Sequence, residues 1–371
     1  MSPKKKIIHI IQSLDNGGCE NVLLRTIPTL VDFDHTLVCL RSEGSLAPRF
    51  REISIPITCS YYRNFFDIPG LIRLIKIIRR EKPDLIITYL FHADVIGRLL
   101  LPLFREKNTP IIPFLRTTYN DKRYWVARFF EKYTRFFVKK YFANSEAVKT
   151  FYTKNLNVCP ERIIVIPNGI DTTIYEKDIV DTVSLQKELS LPDEAFIITC
   201  VANLHTNKGH FYLLEAFEKI AQKYPQCILL LVGDGEERKN LEHQVASFSS
   251  ASRIIFLGKR SDIKEILAIS HLFVFPTFFE GLSNALQEAM SMSLPIIATN
   301  IPENRILIQD TFNGILIPPR SSESLEKAIR NILDNPGFAQ KIAAEARKTI
   351  VEFYSLETAK KCFVKAIEQT L

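Results

Sequence analysis

Two glutamates, Glu280 and Glu288, stand with Gly281, Leu282, Ser283, Asn284, Ala285, Leu286 and Gln287 between them. Upstream, Leu272-Phe273-Val274-Phe275-Pro276 is an apolar run of strand length. Downstream, Asn284 to Met292 is rich in Ala, Leu, Gln, Glu and Met, which favour helix. Glu280 and Gly281 therefore fall in a strand-to-helix turn, with Ser283 or Asn284 as the N-cap. A helix start presents free N–H groups and a partial positive charge, which suits a phosphate at the amides of Leu282, Ser283 and Asn284. Glu280, in the loop, can accept from hydroxyls in front of that helix start. Glu288, about a turn and a half along the helix, can accept from a second hydroxyl pair such as a ribose offers. A sugar, a diphosphate and a ribose in that order make a nucleotide-sugar. Two glutamates at this spacing also occur as solvated charges, so the rest of the chain decides.

Lys208, in Thr206-Asn207-Lys208-Gly209-His210, lies between a strand-like run and a helical pattern. A fixed cation there neutralises the charge that builds on a diphosphate leaving group as a sugar–phosphate bond breaks. His92 follows the strand-like run 84–89 and so faces the crevice at the carboxyl end of a parallel strand, where it can donate to a sugar hydroxyl. Gly17-Gly18, between the first strand and the first helix, lets backbone approach a ligand and admits positive φ. It is not a G-x-G-x-x-G, which argues against a nicotinamide cofactor. Each has a local alternative: a solvated turn lysine, a helix-start histidine, a tight turn. Ser145-Glu146 reads as an N-cap followed by a first-turn acid. Asp32-Phe33-Asp34 has the spacing of a metal-holding pair but reads as a solvated loop, and no metal or other cofactor is expected.

The elements that must position these residues alternate between strand and helix. In the first half, residues 5–11, 35–40, 84–89, 111–115, 141–143 and 163–166 read as strands. Helical patterns cover 20–30, 68–80 and the stretches near 93–104 and 122–140. Pro167-Asn168-Gly169-Ile170-Asp171 is a turn cluster, and the chain beyond it to Asp193 has a linker's polarity. Strands then restart at 196–201, 228–232, 254–257, 272–275 and 295–298. Such alternation predicts an α/β protein of two tandem Rossmann-like, doubly wound parallel sheets, residues 1–173 and 174–354, with ligands at the carboxyl ends of the strands.

At 371 residues the chain is long enough for two domains, and 46% hydrophobic with 24% charged residues is ordinary for a globular protein. Seven cysteines, an odd number with no C-x-x-C, argue against a disulfide framework or zinc site and for a reducing cytoplasm. The apolar run 7–11 is too short for a signal peptide, and none approaches the ~20 residues of a membrane span. Residues 1–173 hold 27 Lys and Arg against 16 Asp and Glu, whereas 174–371 hold 21 against 25. The first half therefore suits something anionic. In the helix near 122–140, Arg128, Lys132, Arg135 and Lys139 share a face, and Trp125, Phe129, Phe130, Tyr133, Phe136 and Phe137 fill the rest. Either this helix meets an anionic lipid surface, or its aromatics pack on the sheet and its basic face is wet.

The glutamate pair, the Lys208 loop, His92 and the Pro167-to-Asp171 turn together resemble the retaining glycosyltransferases of family 4 (glycosyltransferases group 1, GT-B-type), with matching features from Gly17 to Gly314. The resemblance implies two Rossmann-like domains facing across a cleft: the first binds acceptor, the second binds nucleotide-sugar, and the last helix, about 355–371, packs back on the first. It assigns Gly17 and Gly18 to the donor phosphates and acceptor, His92 and Glu280 to the sugar, and Lys208 to the phosphates. Gly281, Leu282, Ser283 and Asn284 join Lys208 there, Gly233, Lys259 and Arg260 fall near the base, and Glu288 meets the ribose. Asn203 stands where many relatives carry arginine, and Arg116 and Arg260 are the candidates to replace that cation. The activity implied is transfer of a sugar from a nucleoside diphosphate donor, a UDP-sugar, to a hydroxyl of a membrane-linked glycan or lipid in cell-surface polysaccharide or lipopolysaccharide assembly. The place implied is the cytoplasm, with peripheral contact to an anionic membrane through the basic first half. The rivals are a non-catalytic protein that binds nucleotide-sugar or an anionic surface, which Asn203 favours, and a sugar-nucleotide epimerase on the same scaffold. A nucleic-acid partner is not expected, since no recognised binding motif occurs.

Overall fold

The computed structural model describes residues 3–15, 17–64, 67–99, 109–117, 125–280 and 282–371, and of residues 126–128, 137 and 178 the backbone alone. The chain divides into two compact units, Met1–Gly169 with Leu356–Leu371, and Ile170–Ser355.

The first unit runs β1 (Lys5–Ile11), α1 (Gly18–Thr26), β2 (Phe33–Cys39), α2 (Ala47–Glu52), β3 (Ile57–Cys59), α3 (Ile68–Glu81) and β4 (Leu85–Tyr89). It continues with α4 (Leu90–Leu99), β5 (Ile111–Leu115), α5 (Trp125–Thr134), β6 (Tyr141–Ala143), α6 (Glu146–Leu156) and β7 (Ile163–Val165). Among the described residues these strands form one parallel sheet in the order β3-β2-β1-β4-β5-β6-β7. The order reverses beside β1, where loops diverge and a ligand can enter. Alternate residues of β1 serve two cores, as a strand covered on both faces requires. Ile7 and Ile11 pack with Leu23 of α1, whereas Ile8 and Ile10 pack with Leu74 and Ile78 of α3 and Ile96 of α4. Pro28 explains why α1 stops early and passes into a 3-10 turn, Ile27–Thr29. Asp67 caps α3, accepting from the Gly70 N–H at 2.9 Å, and Lys82 ends it in the left-handed conformation ahead of Pro83.

Two polar networks are buried in this unit. The Leu30 carbonyl can only accept, so His35 Nε2 donates to it (3.1 Å). His9 Nε2 then donates to His35 Nδ1 (3.0 Å), and Tyr89 donates to His9 Nδ1 (2.9 Å). Burial depresses the pKa of both histidines and keeps them neutral. Between α4 and α5, Arg98 pairs with Glu131, both fully buried.

The second unit runs α7 (Val183–Glu188), β8 (Phe196–Val201), α8 (His210–Lys223), β9 (Cys227–Val232), α9 (Arg238–Val245), β10 (Ile254–Gly258) and α10 (Ile263–Ile269). It continues with β11 (Leu272–Phe275), α11 (Asn284–Ser291), β12 (Ile296–Thr299), β13 (Ile315–Ile317), α12 (Ser322–Asp334) and α13 (Pro336–Phe353). Its sheet is also parallel, in the order β10-β9-β8-β11-β12-β13. After it, α14 (Leu356–Glu368) belongs to the first unit, where the Phe363 ring lies 6.0 Å from those of Phe114 and Phe142. No helix among the described residues is long and apolar enough to cross a membrane.

Candidate functional site

Because β8 pairs with β11, the loops that leave their carboxyl ends lie side by side. The β8 loop closes in a 3-10 turn, Thr206–Lys208, and the β11 loop is pinned to it. The Phe278 N–H donates to the Asn207 carbonyl at 2.8 Å, and the Thr277 hydroxyl donates to the same oxygen at 3.2 Å. Gly209 makes the approach possible. Its φ is 73°, and a Cβ there would stand 2.2 Å from the Pro276 carbonyl oxygen. The result is an ion pair of Lys208 Nζ on Glu280 Oε1, with the side chains 13% and 24% exposed. The ammonium also lies 5.9 Å from the centre of the Phe275 ring.

Immediately beyond, α11 begins. Ser283 accepts from the Leu286 N–H at 3.2 Å, so Ser283 and not Asn284 is the N-cap. Leu282 is buried with Leu286 and Met290, which anchors the helix start, while Asn284 and Glu288 are half-buried. Gly281 lies outside the described residues. Lys208, Glu280, Leu282, Ser283, Asn284 and Glu288 thus occupy two adjoining segments. A cation, a carboxylate and the amides of a helix start are what a diphosphate bound to a polyol needs.

The flanking residues divide differently. Asn203 is exposed at the end of β8, and Lys259 is exposed after β10. The Arg260 guanidinium is taken up by Asp262 (Nε, 2.8 Å) and Glu188 (Nη1, 2.7 Å), tying the β10 loop to α7. Two carboxylates neutralise it, so it does not replace the cation missing at Asn203. Gly233 has φ 137°, and a Cβ would meet the Ala202 carbonyl oxygen at 2.1 Å; its smallness lets the β9 loop pack on the β8 loop. His210 opens α8, buried 3.8 Å from Cys200 Sγ, and burial pushes its pKa down to about 4.

In the first unit, Gly17 caps α1 and Gly18 opens it. Gly17 has φ −135°, so extended backbone and not positive φ is found there; a Cβ would stand 2.5 Å from Glu20 Oε2, so the Glu20 carboxylate packs against the bare glycine backbone. Sequence reasoning passed over Glu20, whose signal is its place two residues after the glycine pair. It is buried, which raises its pKa, and Arg116 opposes that rise. Arg116 donates to Asn168 Oδ1 and stacks 4.9 Å above Phe114. The helix carrying His92 starts at Leu90, three residues before the expected 93. Leu90 takes φ 68°, a strained conformation costing on the order of 1–3 kcal/mol, at the turn that presents His92. His92 is half-buried, and burial, then Arg41, lower its pKa, so it is a neutral imidazole with one N–H to donate. Asp32 and Asp34 are exposed at the amino end of β2, the opposite end from the crevice. Among the described residues no three His, Cys, Asp or Glu side chains gather as a metal site requires.

Two family models match the chain in tandem: Glycosyltransferase Family 4 over residues 16–174 and Glycosyl transferases group 1 over residues 182–349. An Escherichia coli relative, UDP-Gal:alpha-D-GlcNAc-diphosphoundecaprenol alpha-1,3-galactosyltransferase, is 28% identical over 346 residues, covering 90% of this chain and 89% of its own. The alpha-monoglucosyldiacylglycerol synthase of Acholeplasma laidlawii is 22% identical over 96% of this chain and 90% of its own. The fold is that of Anabaena HepE, crystallised with UDP and glucose, with a TM-score of 0.87 over 98% of this chain and 100% of that one at 22% identity.

Proposed function

We propose, since the chain belongs to the group 1, family 4 glycosyltransferases, that this enzyme is a retaining hexosyltransferase. It takes a sugar from a UDP-sugar and passes it to a hydroxyl of a lipid-linked glycan or glycolipid during cell-surface polysaccharide or lipopolysaccharide assembly. The observation that carries the reading is the Lys208–Glu280 pair set against the Ser283-capped start of α11.

In this reading the second unit holds the donor and the first the acceptor. The amides of Leu282, Ser283 and Asn284, with Lys208, hold the diphosphate, and Glu288 accepts from the ribose hydroxyls. Glu280 and His92 take hydroxyls of the sugar, with Gly17 and Gly18 beside the phosphates and acceptor. The base lies towards Gly233 and Lys259. As the bond from the sugar's anomeric carbon to the phosphate oxygen breaks, negative charge grows on that oxygen, and Lys208 stabilises it; no metal is needed. The acceptor hydroxyl attacks from the face the diphosphate leaves, and its proton passes to the departing oxygen, so the anomeric configuration is retained. The E. coli and Acholeplasma relatives, named for a lipid diphosphate and a diacylglycerol glycolipid, support a lipid-linked acceptor. Work on such acceptors would place the enzyme in the cytoplasm, peripheral to an anionic membrane.

The test is transfer of labelled sugar from UDP-glucose or UDP-galactose to polyprenyl-diphosphate and diacylglycerol-linked acceptors, with the new linkage assigned by NMR. The donor's anomeric configuration in the product is expected. An inverted linkage would refute retention, and an altered donor formed without acceptor would mean an epimerase. Asn203, exposed and uncharged, supports a second reading, a binding protein without turnover; donor binding with no product from any acceptor would favour it.

A further inference from the structure

Helix α5 is patterned inside out. Among the described side chains its inner face carries two polar groups: Glu131 is buried against Arg98 of α4, and Thr134 is buried beside it. Its outer face carries Trp125, Phe129 and Tyr133, and the 3-10 turn that continues it carries Phe136; all four are more than half exposed. At 3.6 residues per turn those positions form one stripe, and the Phe129 and Tyr133 rings touch at 4.6 Å between centres. Of the two alternatives open from the sequence, packing of these aromatics on the sheet is excluded for all four. Phe130 turns inward, against Phe91, and the Phe137 side chain lies outside the described residues.

Charge follows the same line. Lys132 and Lys139 are exposed, and Lys132 Nζ and the Arg135 guanidinium sit 5.9 and 4.8 Å from the Tyr133 and Phe136 rings. From Trp125 to Lys140 the chain holds Arg128, Lys132, Arg135, Lys139 and Lys140 against a single acid, Glu131. That acid is the one drawn inside. The outer face therefore presents aromatic surface and positive charge with no carboxylate from its own segment. Water solvates the charges but disfavours the aromatic stripe. A bilayer with acidic headgroups favours both, since aromatic rings settle at the headgroup boundary and ammonium groups pair with phosphates.

We infer that the outer face of α5, with the turn Arg135–Phe137, docks on the anionic surface of a lipid bilayer, lying in its plane. This names the lipid contact of the function proposed above, but docking needs neither donor nor acceptor and is tested without them.

Trp125 is the only tryptophan of the chain, so its fluorescence reports this face alone. The full chain is mixed with phosphatidylcholine vesicles, with and without phosphatidylglycerol. A blue shift and co-sedimentation with the anionic vesicles, quenching by brominated acyl chains and weakening with salt are expected. Lys132→Gln with Lys139→Gln should lower partitioning about fivefold per charge removed. Phe129→Ser with Phe136→Ser should abolish the shift while circular dichroism stays native. Three results overturn the inference: no shift and no sedimentation of the folded chain, full binding by the Phe129/Phe136 variant, or a concentration-dependent shift without lipid, which would make the face a contact with a second copy. UDP titration of the same sample separates failure of docking from failure of the donor site.

Discussion

Lys208→Met keeps an unbranched side chain one atom shorter and removes its charge. The Lys208 side chain is only 13% exposed, so the effective dielectric around it is about 20, and a unit charge about 4 Å away would interact with it at about 4 kcal/mol. If about half a charge passes to the leaving oxygen in the transition state, Lys208 stabilises that state by about 2 kcal/mol, or about 30-fold in kcat. The variant also leaves Glu280 as an uncompensated carboxylate beside the diphosphate. Losses on removing a donor from comparable charge-stabilising sites, about 100- to 1,000-fold, set the upper bound. The expected fall in kcat is therefore about 30- to 1,000-fold. Donor affinity should fall much less, because on the proposed reading the helix-start amides hold the diphosphate in the ground state. Adding Glu280→Gln to Lys208→Met should recover part of the lost affinity by removing the unpaired charge, a non-additivity seen by calorimetry and initial rates. A kcat within about threefold of the parent, or a loss lying wholly in affinity, would refute the assigned role.

Gly209→Ala combines φ 73° with a 2.2 Å overlap on a backbone oxygen, and should cost roughly 2–3 kcal/mol in urea unfolding while separating the two loops and reducing turnover further. Ser283→Ala removes the α11 cap, and about 1 kcal/mol of stability with about fivefold in UDP affinity should go with it, read by melting and titration. His210 titrates near 4 when folded and near 6.5 when unfolded, so the unfolded chain binds the extra proton first. Stability should be whole above about pH 6.5 and fall by up to about 3 kcal/mol towards pH 4, and His210→Asn should flatten that slope in pH-dependent denaturation. Turnover in excess EDTA should match turnover without it; abolition of activity, restored by a divalent cation, would contradict charge stabilisation by Lys208 alone.

Runs such as Ile7 to Ile11 and Ile228 to Val232 announce buried parallel strands in composition alone, and alternation with helical patterns sufficed for two doubly wound sheets. Three residues carry little periodicity of their own, so Tyr141–Ala143 was legible only from its place between helical patterns, while Ile57–Cys59 and Ile315–Ile317 were not read. Ser283 was one of two readable caps, since strand, turn and helix follow one another locally. What needed coordinates was distant in sequence. Lys208 meets Glu280 across 72 positions, and Arg260 is lost to Glu188 across the same span. The α5 stripe inverted a reasonable rule. Aromatics are placed inward by hydrophobicity, and only the buried Arg98 partner, 33 residues earlier, draws Glu131 into that side of the helix.

The measurement that bears most directly on the donor site is calorimetric titration of the purified chain with UDP-, GDP- and ADP-sugars, repeated on Glu288→Ala. One donor should bind tightly and lose that binding in the variant, because a ribose hydroxyl pair loses its acceptor inside α11. Silence across the panel from a folded protein, or equal binding by the variant, would contradict the account.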